Sequence, residues 1–420
     1  MTQRYDTYKD SGVQWLGEIP GHWEMRKMKY IFDERSEKNH PNEPMLSATQ
    51  SEGVILQSKY QGRVVVVNTG FEGLKLVKDG DFVIHLRSFQ GGIEYAYDRG
   101  IISAAYTILN PKYPEFSAYY KRLFKSSSFI DLLKICVTGI REGQNINYSK
   151  LKQFFIPLPP LSEQRSIVSF LDAKCGKIDE WVTKKQKEVE HLQELKQRVI
   201  ADAVTRGLNP HVKMKATNIP WLKEIPEHWE VKPIRAILRE NTDKTETGDE
   251  ELLSLSQYTG ISRKKDAAKI GMFEAESTVG YKKVHPGQFV MNIMLAWNGS
   301  YAVSEFEGII SPAYCVFDFI SKDEKMYYNY LWRLSMYQGA FKTESRGIID
   351  SRLRLYPNKF LPFPTICPPI EEQKQIVSYL DAKCSKIDKL IANIAKEIER
   401  IKEYKQRLIS DVVTGQIKVC

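Results

Sequence analysis

No stretch of this 420-residue sequence approaches the roughly 18–20 consecutive apolar residues that a membrane-spanning helix needs. The polar start MTQRYDTYKDSG also lacks the apolar run of a secretory leader. Cysteine is scarce: Cys136, Cys175, Cys315, Cys367, Cys384 and Cys420 form no C-x-x-C pair, and none has a histidine at metal-ligand spacing. Neither a disulfide framework nor a metal site is expected, and the thiols read as reduced, buried or incidental ones of a cytoplasmic protein. Catalytic signatures are missing too. There is no G-x-x-x-x-G-K-[ST] phosphate loop and hence no sign of an ATP-driven motor. The chain contains no Asn-Pro-Pro-aromatic tetrapeptide of the kind adenine methyltransferases place around a target amine, no G-x-S-x-G elbow and no convincing acid/lysine nuclease arrangement. No catalytic residue is assigned; the chain reads as a binding protein.

What is present is ample material for folding. Hydrophobic residues make up 42% and aromatics 11%, and the length points to two domains rather than one core. The net charge is +9, with a pI near 9.0. Residues 162–206 carry +1 of it and residues 371–420 carry +2, which leaves +6 on the remaining segments. That modest excess permits a polyanionic partner.

The chain is written twice. PPLSEQRSIVSFLDAKCGKID (Pro159–Asp179) returns as PPIEEQKQIVSYLDAKCSKID (Pro368–Asp388), and KEVEHLQELKQRVIADAVT (Lys187–Thr205) as KEIERIKEYKQRLISDVVT (Lys396–Thr414). WLGEIPGHWE (Trp15–Glu24) reappears as WLKEIPEHWE (Trp221–Glu230). Between these segments only echoes survive, such as LSATQ (46–50) against LSLSQ (253–257) and GIISAAY (100–106) against GIISPAY (308–314). A period near 200 residues is far too long for a solenoid and denotes a two-domain duplication, which should pack with a pseudo-twofold axis.

After each Pro-Pro pair the pattern turns helical, with Ser162 expected to cap the first run. Apolar residues fall at 4,3 spacing: Ile178, Val182, Val189, Leu192 and Val199 in the first run, and Ile387, Ile391, Ile394, Ile398, Ile401 and Leu408 in the second. Lys185, Lys196 and Lys405 interrupt this stripe. Two narrow stripes in the same register predict an antiparallel coiled coil. The interiors read as strands and turns: RVVVVNTG (63–70) as a buried strand, and KLVKDGDFVIHL (75–86) as a hairpin through Asp79-Gly80, answered by KKVHPGQFVMNI (282–293). Helical patches follow at 115–135 and 325–341. The fold class is therefore α+β, two mixed α/β domains and two long helices. Trp15, Trp23, Trp221 and Trp229 read as staples at the start of each domain, and His22 and His228 as packing histidines.

Basic residues beside amides and aromatics are what phosphate contact and base reading use. In the first interior they are Lys59, Arg63, Arg87, Gln90, Arg141, Gln144 and Asn145. In the second they are Arg263, Lys264, Lys265, Lys282, Lys283, Asn298, Arg346, Arg352 and Arg354. The Gly91-Gly92 pair would let backbone approach a phosphate closely.

The paired Pro-Pro helices, the paired WLxEIPxHWE segments and the divergent interiors together resemble the specificity subunits of type I restriction–modification systems, over the whole chain. The resemblance implies target-recognition domains at residues 1–158 and 209–367, joined by spacer helices at 159–208 and 368–420. It implies a bipartite, asymmetric site in double-stranded DNA, a spacer set by helix length, and docking of two methyltransferase subunits through which motor–nuclease subunits join. S-adenosylmethionine, ATP and Mg²⁺ would then belong to the partner subunits. The specificity subunit of a related fused methylase–nuclease system, and a coiled-coil scaffold that binds no DNA, are the alternatives.

Overall fold

The computed structural model describes residues 3–62, 69–138, 145–257, 259–266, 277–347 and 353–419. Contacts divide the chain into two units: unit 1 is Met1–Gln186 with Ile394–Cys420, and unit 2 is Lys187–Asn393. Each unit thus combines one interior with part of each of the two long helices, Leu161–Arg206 and Ile370–Val413.

Unit 1 is built on a four-stranded antiparallel sheet in the order Phe32–Arg35, Thr107–Pro111, Phe82–Ile84, Glu94–Tyr95. Successive residues of a strand face opposite ways. Phe82, Ile84 and Leu109 pack against Tyr119, Tyr120, Leu123 and Phe129 of helices Ser117–Leu123 and Ser127–Ile135. Val83 and Ile108 face the other way, onto Leu46, Val54, Val77 and Ile102 of two small two-stranded sheets. Both faces are covered, which is why the sequence runs apolar without alternation in these strands. Ser126 separates the two helices, its hydroxyl accepting from the Phe129 amide at 3.3 Å, so the patch at 115–135 is two helices rather than one.

Unit 2 repeats the plan with the order Leu238–Asn241, Tyr314–Phe319, Phe289–Asn292, Tyr301–Val303. Phe289, Met291 and Phe317 meet Tyr327, Leu331, Trp332 and Phe341 of helices Lys325–Trp332 and Ser335–Glu344. Val290 and Val316 meet Leu253, Ile261, Val284 and Ile310 on the other side.

The two expected hairpins do not form. Lys75–Val77 pairs with Gly100–Ile102, whereas Phe82–Ile84 pairs with Thr107–Pro111 and Glu94–Tyr95. The chain does turn at Gly80, whose φ is +89°. The Gly80 amide, however, donates to the Ala96 carbonyl (3.0 Å), and the Ala96 amide donates to Asp81 (2.8 Å). A third segment therefore occupies the turn and sends its two strands to different partners. In unit 2 the same exchange joins Gly287 to Ser304 (2.7 Å) and Ser304 to Gln288 (2.8 Å). The expected strand at 63–70 lies, but for its last two residues, outside the described residues.

The Pro-Pro pairs do launch the helices, yet Ser162 lies inside the first turn rather than ahead of it. The Pro160 carbonyl already accepts the Gln164 amide (2.9 Å), and the Gln164 side chain donates to Pro159 (2.9 Å). Pro369, Gln373 and Pro368 repeat this arrangement in unit 2. Within unit 1 the helices run antiparallel: Lys405 pairs with Asp179 at 2.7 Å, and Lys185 with Glu397 at 4.0 Å. Within unit 2, Lys196 pairs with Asp388 at 2.8 Å. The lysines that interrupt the stripe thus each meet a carboxylate of the other helix. Of the stripe residues, Val182, Ile387, Ile394 and Leu408 are buried and Ile178, Val189, Leu192, Val199, Ile391, Ile398 and Ile401 half-buried.

Each interior also clasps a helix C-terminus, where backbone carbonyls lack partners. The Tyr119 hydroxyl donates to the Val413 carbonyl (2.7 Å) in unit 1, and Tyr327 to Val204 (2.9 Å) in unit 2. Trp23 and Trp229 are fully buried in their cores, and His22 and His228 meet Glu163 (2.7 Å) and Glu372 (2.8 Å).

Candidate nucleic-acid interface

The central strand of each sheet ends in the same compact turn, residues 85–92 in unit 1 and 292–299 in unit 2. In unit 1 the ring of buried His85 folds back, and its Nδ1 accepts the Arg87 amide (3.1 Å), while the Ser88 amide donates to the His85 carbonyl (3.1 Å). In unit 2 Asn292 does the same work: its Oδ1 accepts the Met294 amide (3.0 Å) and its carbonyl accepts the Leu295 amide (3.1 Å). Both turns close on a glycine of positive φ, Gly92 at +87° and Gly299 at +91°. A Cβ on Gly92 would stand 2.1 Å from the Phe124 carbonyl oxygen, and one on Gly91 2.8 Å from the Gln50 side chain. Gly92 is therefore required by packing inside the protein, whereas at Gly91 only the Gln50 side chain would have to shift.

The tips differ. Arg87 and Gln90 are exposed in unit 1 beside Leu86, which is 46% exposed. In unit 2 the tip is Met294 (38% exposed) and Leu295 (41%), followed by half-buried Trp297 and Asn298. Of these turn residues Arg87, Gln90 and Asn298 are among those expected from the sequence, whereas Leu86, Met294 and Leu295 are not, since a polar pattern does not single them out.

The other expected residues are distributed more widely. Lys59 is exposed but tied to Asp98 (2.8 Å), whose carboxyl this lysine holds below its usual range. Arg263 and Lys265 share Glu251 (3.2 and 2.7 Å), which Lys265 pulls down, and Lys264 lies half-buried between them. Lys282 and Lys283 are half-buried near Glu240 and Glu250, both at 3.8 Å. Asn145 is exposed in the short strand Asn145–Ile146. Arg346 and Arg354 bridge each other through their backbones (both 2.9 Å), and Leu355 donates to Ile293 (2.9 Å), which brings that bridge beside the unit 2 turn. Arg63, Arg141, Gln144 and Arg352 lie outside the described residues.

Unit 1 also holds an open cleft of about 610 Å³ whose lining includes Gln50, Gln90, Tyr97, Lys121, Lys125 and Lys134. Lys121 sits 4.6 Å from the centre of the Tyr97 ring and 5.2 Å from that of Tyr95. Lys125 reaches fully buried Glu94 (2.6 Å) and the Gly91 carbonyl (2.9 Å).

Among the described residues no three or more His, Cys, Asp or Glu side chains could hold a metal ion, and no helix is long and apolar enough to cross a membrane. Five cysteines are free and buried; burial pushes the Cys315 thiol up to about 12 and that of Cys367 to about 11.

Two similar α+β units, each offering a differently tipped turn and each braced by paired helices, define a duplicated recognition protein. Residues 17–191 and 226–400 each match the family of type I restriction modification DNA specificity domains, and the chain belongs to that family. Its role in such systems is DNA sequence specificity, not catalysis. The MjaVIII type I restriction enzyme specificity subunit of Methanocaldococcus jannaschii is 26% identical over 370 residues, covering 82% of this chain and 80% of the relative. The putative MjaX specificity subunit of the same organism is 24% identical over 321 residues, covering 73% and 68%. A chain solved in a study of the assembly and conformational transition of the type I R-M system has the same fold, with a TM-score of 0.64 at 16% identity over 94% of this chain and 98% of that one.

Proposed function

We propose that this chain reads a bipartite, asymmetric DNA site, one half-site per unit, and carries two methyltransferase subunits on its paired helices. Motor–nuclease subunits join through the methyltransferases, and S-adenosylmethionine, ATP and Mg²⁺ act in those partners, in the cytoplasm. The observation that carries the reading is the pair of equivalent turns: one backbone design, repeated in both units, presents Arg87 and Gln90 in one and Met294 and Leu295 in the other. Two surfaces of different chemistry on the same scaffold suit two different base sequences. The reading residues are proposed to be the exposed basic and amide groups near those turns, with the seam residues holding the helices together.

The test is an exchange of residues 25–157 for the first interior of another family member, followed by mapping of methylated sites in a host carrying the complex. One half-site should change and the other stay. A change in both, or in neither, would refute the assignment of one half-site per unit. A gel shift with co-purified methyltransferase separates a DNA reader from a protein scaffold.

A further inference from the structure

We infer that Met294 and Leu295 form an apolar wedge that enters the minor groove and unstacks one base step in the half-site read by unit 2; this rests on the DNA-reading function above. Exposed apolar side chains at a loop tip ordinarily cost solubility, so their environment matters. Here the backbone beneath them is fully tied. The Met294 and Leu295 amides are held by Asn292, the Met294 carbonyl accepts Trp297 Nε1 (3.1 Å), and the Leu295 carbonyl accepts the Asn298 (3.1 Å) and Ser300 (3.2 Å) amides. With the amides and carbonyls of both tip residues hydrogen-bonded, the turn presents its side chains in one fixed direction, and insertion then needs little further ordering. Cationic groups flank the tip: Lys342 lies 4.9 Å from the centre of the Trp297 ring, and the Leu355–Ile293 hydrogen bond sets the Arg346–Arg354 bridge alongside. An apolar point between basic residues is the arrangement by which proteins unstack a step while gripping the phosphates on either side. The same turn in unit 1 carries Arg87 and Ser88 at these two places, so unit 1 is assigned no wedge.

The experiment uses the full-length chain with co-purified methyltransferase subunits, and duplexes of its mapped site with 2-aminopurine at successive positions. Apart from the methylated positions, where the methyltransferases themselves extrude a base, binding should raise the fluorescence at one step, in the half-site read by unit 2. Met294→Ser with Leu295→Ser should abolish that rise and weaken binding about tenfold, or about 1.4 kcal/mol; Met294→Leu with Leu295→Ile should keep both. Circular dichroism must show the serine variant folded. Tight binding with flat fluorescence at every position outside the methylated ones would overturn the wedge while leaving the DNA-reading function standing. So would a serine variant that retains the rise, or an affinity lost on replacing thymine by deoxyuridine without any unstacking, which marks contact with a thymine methyl group. Failure of the wild-type complex to bind its site would overturn both.

Discussion

Lys125 and Arg333 occupy the same place in the two units, just after the first of the paired helices, yet they are satisfied differently. Lys125 meets a buried carboxylate, Glu94 (2.6 Å). Arg333 has Ala302 where unit 1 has Glu94, and its guanidinium instead donates to the carbonyls of Gln257 and Tyr301; burial lowers its pKa. A second trio shows the same exchange. Arg35, Asp81 and Asn110 hold one another in unit 1 (2.9 and 2.9 Å), while Asn241, Gln288 and Asp318 do so in unit 2 (3.0 and 2.7 Å). In both exchanges the charged group at the centre stays hydrogen-bonded, as burial demands, while its partner changes. What recurs unaltered is the frame: the tryptophans, the tyrosine on the helix end, the glutamine behind the prolines. The comparison separates what the fold needs from what each unit presents outward.

The largest effect should come from the seam, where that equivalence can be broken outright. Ile394 is buried, and the corresponding residue of the first helix is Lys185, which lies 4.0 Å from Glu397. A charge is tolerated there because it has a partner. Ile394→Asp with Ile398→Asp supplies charges without one, at a cost of several kcal/mol, comparable with the roughly 5–15 kcal/mol that holds a domain folded. We expect insoluble chain or loss of cooperative urea unfolding in unit 1. A fully folded double variant would mean that this seam is not an apolar contact.

Such positions were legible in the sequence because a heptad stripe is a local, periodic signal, and the repeat supplied two readings of it. The sheet cores were legible only in part. Runs such as FVI and FVMN announced buried strands, but their partners depend on Ala96 and Ser304 inserting into the turns, and nothing in the local pattern of either hairpin-like stretch signals a third segment. The ion pairs of the charged residues are not legible in the sequence: Lys59, Arg263 and Lys265 each have a carboxylate partner far away in sequence or across a strand pair. The exposure of Met294 and Leu295 is not legible in the sequence, because exposed apolar residues carry the same letters as a core.

Next in size is the contrast between the glycines that end the two long helices, both with positive φ, Gly207 at +75° and Gly415 at +78°. Any side chain there costs about 1–2 kcal/mol of backbone strain. A Cβ at Gly207 would meet the carboxylate of Glu372 (2.7 Å), a side-chain tip that can shift at the expense of its bonds to His228 and Trp229, before the Trp229 ring at 3.4 Å. At Gly415 it would lie 2.3 Å from the Pro20 ring and 3.0 Å from Trp23, neither free to move. Gly415→Ala should therefore cost about 1–3 kcal/mol more than Gly207→Ala, read as the difference in urea midpoints. Equal losses would show that Pro20 and Trp23 give way.

Smaller still is the alkaline limit of the two units. Burial raises the thiols of Cys136 and Cys175 in unit 1, but takes Cys315 to about 12 and Cys367 to about 11 in unit 2. An unfolded thiol titrates near 8.5, so the folded unit holds these protons more tightly. That contribution is fully present below pH ~8.5 and is lost as the pH rises toward the folded values. Between pH ~8.5 and ~9.5, below the range in which tyrosines titrate, the unfolding transition of unit 2 should fall faster than that of unit 1, and Cys315→Ala with Cys367→Ala should reduce the difference in slope. Parallel slopes in the wild type would mean the thiols are not shielded.

The smallest effect offers the sharpest comparison, because the duplication supplies its own control. Lys405–Asp179 in unit 1 and Lys196–Asp388 in unit 2 join corresponding residues at 2.7 and 2.8 Å, with the lysines about one-quarter exposed and the aspartates more than half exposed. Water reaches both carboxylates, so each pair belongs with surface ion pairs, worth about 0.2–1 kcal/mol. Removing a lysine also removes its aliphatic stem from the seam, and that loss would masquerade as an electrostatic one. Double-mutant cycles cancel it: Lys405→Met and Asp179→Asn alone and together, then Lys196→Met and Asp388→Asn in the same way. The two coupling energies should agree within about 0.3–0.5 kcal/mol, the usual limit of additivity, and both should shrink as salt is raised, since exposed pairs are screened. Exchanging the partners, Lys405→Asp with Asp179→Lys, should restore less than half of the coupling, because the shorter aspartate then has to reach from the seam position. A strong pair in one unit and none in the other would show that the paired helices, for all their shared sequence, are packed differently in the two units.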